Sequence, residues 1–216
     1  MIKEKNILLF DLDGTLTDPG EGITRSVEYA LGHFGIQVAD RKSLYCFIGP
    51  PLIPAFEEFY GFSREEAEKA LVFYRERFSR IGLFENKVYP GIEAFLSSLV
   101  SAGKTLAVAT SKPEVFSLRI LERFGLSGYF QVITGSELDG TRVQKDKVIE
   151  TTLQRLGAER QNAVMIGDRK HDILGAKQTG ISSVGVLYGY GDRAELTEAG
   201  ADFIAEDVAA LSEILT

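Results

Sequence analysis

The sequence predicts an α/β protein: a doubly wound parallel sheet carrying a small all-helical domain inserted after its first strand. Three observations predict it. Short, almost continuously apolar runs recur along the chain, as strands covered on both faces require. Amphipathic stretches of helical period lie between them, which is the βαβ alternation of a parallel sheet. From about residue 20 to 85 that alternation stops, and only helical patterns are legible.

Strands are expected at 7–10 (Ile7-Leu8-Leu9-Phe10), 106–109, 131–133, 163–166 and 183–186. Helices of the same domain are expected at 92–102, 114–124, 145–156 and 173–179. The interrupting segment should hold three helices. The clearest begins at Ser63, where Ser63-Arg64-Glu65-Glu66 makes a capping box. Ala67, Ala70, Leu71, Tyr74 and Phe78 then form an apolar stripe at i, i+3, i+4 spacing. Turn formers at 17–20 and 86–91 mark the hinges. The expected division is therefore an α/β core of residues 1–18 and 87–216 with a helical cap of residues 19–86.

Composition narrows the function classes. The 216 residues are 44% hydrophobic and 25% charged, ordinary for a globular chain. A net charge of -7 argues against nonspecific binding to a nucleic-acid polymer or an anionic membrane. An acidic protein that takes an anionic substrate must instead reverse the field locally, with a cation or a few placed Lys and Arg. The single cysteine, Cys46, excludes an internal disulfide and fits a reducing compartment. No apolar stretch is long enough for a signal-peptide core or a membrane span, so a cytoplasmic location is expected.

In an open α/β sheet, ligands bind beyond the carboxyl ends of the strands. Three of those ends carry polar side chains. Asp11-Leu12-Asp13-Gly14-Thr15 follows the first strand, Thr110-Ser111-Lys112-Pro113 follows 106–109, and Gly167-Asp168-Arg169-Lys170-His171-Asp172 follows 163–166. Asp11 and Asp13 repel each other unless a divalent cation lies between them, and Asp168 completes a cluster of hard oxygen ligands that favours Mg2+ over zinc. Asp11 is then placed to act as nucleophile through an aspartyl-phosphate, and Asp13 to protonate the leaving alkoxide and activate water. Thr110 or Ser111 supplies a hydroxyl to the phosphoryl group, and Pro113 starts a helix whose N-terminus favours an anion. A cation is still wanted on the phosphate. Lys145 is the first candidate, with Lys147 and Arg142 nearby. Lys112, Arg169, Lys170 and His171 are read as mainly solvated.

These residues, in this order, resemble the four motifs of the haloacid dehalogenase superfamily of phosphohydrolases: Asp-Leu-Asp-Gly-Thr, Thr-Ser, a helix-start Lys and Gly-Asp-x-x-x-Asp. The resemblance covers essentially the whole chain, and it is closest to phosphoglycolate phosphatase-like and bacterial 5′-nucleotidase-like members. It implies that Asp11 is nucleophile and metal ligand. It also implies that Asp13 is acid/base and ligates magnesium through its backbone carbonyl, that Asp168 is a further ligand, and that Asp172 is either a ligand or a supporting partner. Thr110 matches the hydroxyl residue of the second motif. One departure is visible: many relatives have Lys-Pro at the third motif, where this chain has Lys145-Asp146.

The expected substrate is a small phosphorylated metabolite: phosphoglycolate, a nucleoside 5′-monophosphate or a sugar phosphate. A phosphomutase of the β-phosphoglucomutase type would share the core motifs, and a non-catalytic binding protein on the same scaffold is a third reading. Cap residues and oligomeric state are not legible from sequence.

Overall fold

The computed structural model describes residues 2–216. In chain order the regular elements are β1 (Ile7–Phe10), β2 (Thr17–Asp18), α1 (Gly20–Gly32), α2 (Leu52–Tyr60), α3 (Arg64–Phe78), β3 (Lys87–Val88), α4 (Ile92–Ser101) and β4 (Thr105–Pro113). They continue with α5 (Glu114–Arg123), β5 (Val132–Ser136), α6 (Lys145–Leu156), β6 (Ala163–Gly167), α7 (Lys170–Thr179), β7 (Ser182–Val186), α8 (Arg193–Ala199), β8 (Phe203–Ala205) and α9 (Val208–Leu215).

Six strands form one parallel sheet in the order β5-β4-β1-β6-β7-β8. The doubly wound class expected from the apolar runs is therefore the observed one. β1 lies at the centre, with Ile7 beside Thr105 on one neighbour and Ala163 on the other. Its central place explains why all of Leu8, Leu9 and Phe10 are buried: alternate side chains enter opposite faces, and both faces are covered. Beneath one face, Leu9, Ala107 and Met165 pack against Val148, Ile149 and Leu153 of α6 and Ala176 of α7. On the other, the Phe10 ring meets Phe95 of α4 and Phe130 edge-on, each at 6.2 Å between centroids.

The chain winds outward from β1 to one side through β4 and β5, then returns to build β6, β7 and β8 on the other. The winding direction reverses at the carboxyl end of β1, the place where this class of sheet holds its ligands.

Sequence and structure differ in three places. β4 runs on through Thr110-Ser111-Lys112-Pro113, with its register against β5 shifting between Ala109 and Pro113. α7 starts at Lys170, three residues before its apolar pattern begins, because Asp172 accepts the Arg169 N–H at 3.1 Å and closes the first turn. The edge strand β8 and helices α8 and α9 were not anticipated; Phe203-Ile204-Ala205 is too short for its period to stand out.

The chain divides into two compact units, residues up to Thr17 with Val88–Thr216, and Asp18–Lys87. The second is helical. Ser63 and Glu66 close both halves of the capping box on α3. The interior of the unit mixes aliphatic side chains such as Leu31 and Leu44 with Phe47 and Phe56, whose rings lie 4.9 Å apart, and nearer the surface His33 stacks on Phe73 at 3.9 Å. Glu85 is gripped by Arg77 at 2.7 Å and Arg25 at 3.0 Å, and its carbonyl accepts the Gly22 N–H, which fixes the segment leading out of the unit.

Candidate active site

The site begins where β1 ends. Asp11 is still tied into the sheet, its N–H donating to the Ile166 carbonyl at 2.9 Å, so its side chain projects from the switch point on rigid backbone. The chain then turns sharply: Leu16 and Thr17 N–H groups both return to the Leu12 carbonyl, at 2.9 and 3.0 Å. Gly14 makes the turn possible with φ +84, and a Cβ there would stand 2.1 Å from Asp168 Oδ2. The apolar anchors Leu12 and Leu16 are fully buried, which leaves Asp11 and Asp13 at the site with 4% and 8% exposure.

β6 delivers Asp168, fully buried, and α7 delivers Asp172. Asp11, Asp168 and Asp172 each present one carboxylate oxygen within 4.8 Å of the others. The Asp168 carboxylate is oriented from two sides. Thr15 Oγ1 donates to Oδ1 at 3.3 Å and the Tyr190 N–H donates to Oδ2 at 2.8 Å. The latter belongs to the 185–191 glycine run, which packs on the site. Gly189 approaches so closely that a Cβ would lie 2.3 Å from the Gly14 carbonyl oxygen and 2.4 Å from Asp168 Cβ, and the Tyr188 hydroxyl donates to the Thr15 carbonyl at 3.1 Å.

The cation at this edge is Lys145. Its ammonium lies 2.9 Å from Asp11 Oδ1, 2.7 Å from Asp172 Oδ1 and 3.2 Å from the Ala109 carbonyl. The competitors lie elsewhere. Lys147 is on the surface with Glu150 and Asp146, and Arg142 pairs with Glu137 and Glu114. Thr110 is buried, its hydroxyl accepting the Lys112 N–H at 3.3 Å, and the Ser111 carbonyl accepts the Ser136 hydroxyl at 2.7 Å.

Lys112 corrects the sequence reading. Expected in solvent, it is 9% exposed and its ammonium forms an ion pair with Asp13 Oδ2. Its position beside Thr110-Ser111 was the only sequence signal; the partner is 99 residues away. The carboxylate trio likewise includes Asp172, and Asp13 stands outside it on Lys112.

The electrostatics follow from burial. Asp168 is held well above its ordinary carboxylate value, first by burial and then by the charges of Asp172 and Asp11. Burial likewise pushes Asp172 up to about 6, with Lys145 opposing. Asp13 is raised by burial against the pull of Lys112. Burial alone would lower Lys145, but Asp11 and Asp172 outweigh it and raise its value. Crowded and all-oxygen, the trio is suited to a hard divalent cation, which would replace the protons that Asp168 and Asp172 otherwise retain.

Comparison with known proteins agrees with this architecture. The family model for haloacid dehalogenase-like hydrolases matches residues 8–186. A 5′-nucleotidase of Pseudomonas aeruginosa is 49% identical over 96% of this chain and 94% of its own. A tyrosine-protein kinase, PtkA of Mycobacterium tuberculosis, is 39% identical over 96% of this chain and 70% of its own. The crystal structure of a predicted phosphatase from Clostridium acetobutylicum superposes with a TM-score of 0.95 at 51% identity, covering 97% of each chain. With the matched residues running from β1 through β7 and holding all three carboxylates of the trio, the chain belongs to the haloacid dehalogenase-like hydrolase family.

Proposed function

We propose that this hydrolase is a magnesium-dependent phosphatase of small phosphate monoesters, working through a phosphorylated Asp11. The observation that carries the reading is the environment of Asp11: a buried carboxylate at the switch point, with Lys145 on one oxygen and Asp168 and Asp172 close by. Asp11 attacks phosphorus while the ester oxygen departs, and the resulting acyl phosphate is then hydrolysed, which splits one slow displacement into two. Asp13 gives a proton to the departing oxygen and later takes one from the attacking water. Lys145, together with the hydroxyl of Thr110 and the backbone of Ser111, binds the phosphoryl oxygens. Asp11, Asp168 and Asp172 would hold the magnesium, with the Asp13 carbonyl as the family pattern implies. When bound, the ion supplies positive charge against the phosphoryl oxygens in an otherwise acidic protein. Selection of the ester is assigned to the helical unit.

Nucleoside 5′-monophosphates head the substrate list, because the Pseudomonas relative is a 5′-nucleotidase; phosphoglycolate and sugar phosphates follow. The test is phosphate release from a panel of such esters, by wild type and Asp11→Asn, with magnesium and with EDTA. Loss of turnover in both the variant and EDTA supports the reading, and near-normal turnover by Asp11→Asn overturns the covalent route. The PtkA relative favours one second reading, phosphoryl transfer to tyrosine. Phosphotyrosine formed from ATP, with no ester hydrolysed, would put it first.

A further inference from the structure

We propose that Lys112 is a positioning residue for the leaving-group proton: by holding Asp13 through Oδ2 it assigns proton transfer to Oδ1. The proposal rests on the acid/base reading of Asp13 given above.

The two oxygens of this carboxylate are in unlike surroundings. Oδ2 accepts from the Lys112 ammonium, in a pair whose side chains are only 6% and 11% exposed. Oδ1 is buried too, yet among the described residues it has no hydrogen-bond partner. Buried polar atoms are satisfied in the great majority of cases, and an exception calls for a reason. Proton exchange with a substrate is such a reason, because an acid/base oxygen already occupied by a protein donor could not serve.

The pair also keeps this carboxylate apart from the trio. Asp13 is two residues from Asp11, yet its side chain is not part of the Asp11–Asp168–Asp172 cluster. With its charge answered by Lys112, it has less cause to turn toward a cation held there.

Lys112 is itself firmly placed. Its N–H donates to Thr110 Oγ1 at 3.3 Å, and the preceding carbonyl accepts from Ser136 at 2.7 Å. The neighbouring strand offers glycine at the closest approach: a Cβ on Gly135 would stand 2.4 Å from the Lys112 carbonyl oxygen. The extension of β4 beyond Ala109, where the register shifts, thus sets this lysine against the residue that follows β1 by three.

The step balances without a further reactant. An Asp11 oxygen forms a bond to phosphorus; the phosphorus–ester oxygen bond breaks and its electron pair goes to that oxygen. The oxygen takes the proton from Asp13 Oδ1 and leaves as the alcohol, so Asp13 becomes a carboxylate facing Lys112. Water then forms a bond to phosphorus and gives one proton to Oδ1, while the bond from phosphorus to the Asp11 oxygen breaks and its electron pair returns to Asp11; inorganic phosphate leaves and both aspartates are restored.

The experiment compares kcat/KM for two esters: p-nitrophenyl phosphate, whose leaving group departs without a proton, and the alkyl phosphate turned over best in the panel. It uses Lys112→Met, Lys112→Arg, Asp13→Asn and the Asp13→Asn/Lys112→Met double variant, each checked for an unchanged fold by circular dichroism. General acid catalysis contributes roughly 10²–10⁴-fold. Lys112→Met should therefore lose about 10²-fold on the alkyl ester and only a few-fold on the aryl ester. Lys112→Arg should recover much of the loss, and the double variant should be no slower than Asp13→Asn. If Asp13→Asn shows the leaving-group dependence and Lys112→Met loses equally on both esters, the proposal is wrong and Lys112 acts on the phosphate or on the fold. If neither variant shows the dependence, the acid/base reading of Asp13 fails and the proposal falls with it.

Discussion

Raising the pH of chelator-treated protein from about 4.5 to about 6.5 forces charge onto carboxyls that are buried together, and the fold should weaken as it happens. Asp172 sets the magnitude. Its ordinary value is 3.8 and its folded value about 6, so between these limits the folded protein keeps a proton that the unfolded chain has released. Stability is therefore lost as pH rises through that window. The full gap corresponds to roughly 3 kcal/mol, of which about 2 kcal/mol falls above pH 4.5. Asp168, raised for the same reason, acts in the same direction. Carboxyls lowered in the folded state, such as Glu85 with its arginines, work the other way, but at pH 4.5, their ordinary value, only the last part of their stabilisation remains to be gained. His171 opposes: burial and Arg169 lower it from 6.5, so the unfolded chain binds its proton first. The measurement is accordingly made on His171→Asn, by urea unfolding in EDTA at both pH values. It is repeated at one fixed magnesium concentration, about 100 times the Kd at pH 6.5, which should add about 2.7 kcal/mol there. Flat or rising stability in EDTA would refute the reasoning. So would a magnesium effect no larger at the higher pH than at the lower.

Lys145→Met should cost about 3–5 kcal/mol near neutral pH, because Asp11 and Asp172 lose their shared ammonium, and less at about pH 4.5, where Asp172 takes a proton instead; unfolding at the two pH values measures the difference. Gly189→Ala forces a methyl into Asp168 and the Gly14 carbonyl and should weaken magnesium binding about 10–100-fold, read by calorimetry. Ser63→Ala removes the cap on the Glu66 N–H and should cost about 1 kcal/mol in denaturation, while phosphate release by the folded enzyme stays unchanged.

The middle of the sheet was legible because its strands are buried on both faces, so β1 and β6 wrote apolar runs such as Ile7-Leu8-Leu9-Phe10. Asp11 and Asp168 could be picked out by a positional rule, since each follows such a run directly. Lys145 could be nominated as the first residue of a helix, but choosing it over Lys147 needed the helix's rotation: one lysine faces Asp11, the other solvent. Lys112 was misread because lysine is ordinarily solvated and because its partner lies in the turn after another strand, beyond the reach of any local period. The 185–191 run could be read equally as a loop over the site or as a plain turn. That its glycines are there to let backbone touch Asp168 depends on where β6 and β7 sit side by side.

The central position of β1 has a consequence for how the enzyme comes into being on the ribosome. The strand that leads to Asp11 is made well before its partners: Ile7 has no sheet neighbour until Thr105 is made, and its second neighbour, Ala163, comes later still. At roughly 5–20 residues per second the strand waits for many seconds. The helical unit, compact over Asp18–Lys87, is complete in sequence before either partner strand exists. An emerging chain thus has a self-contained segment to fold early, while its most apolar strand depends on pairings of long sequence separation, which form slowly. No truncated nascent chain ending before β6 can bring Asp168 to Asp11, so the carboxylate trio is assembled only after α7 has followed β6.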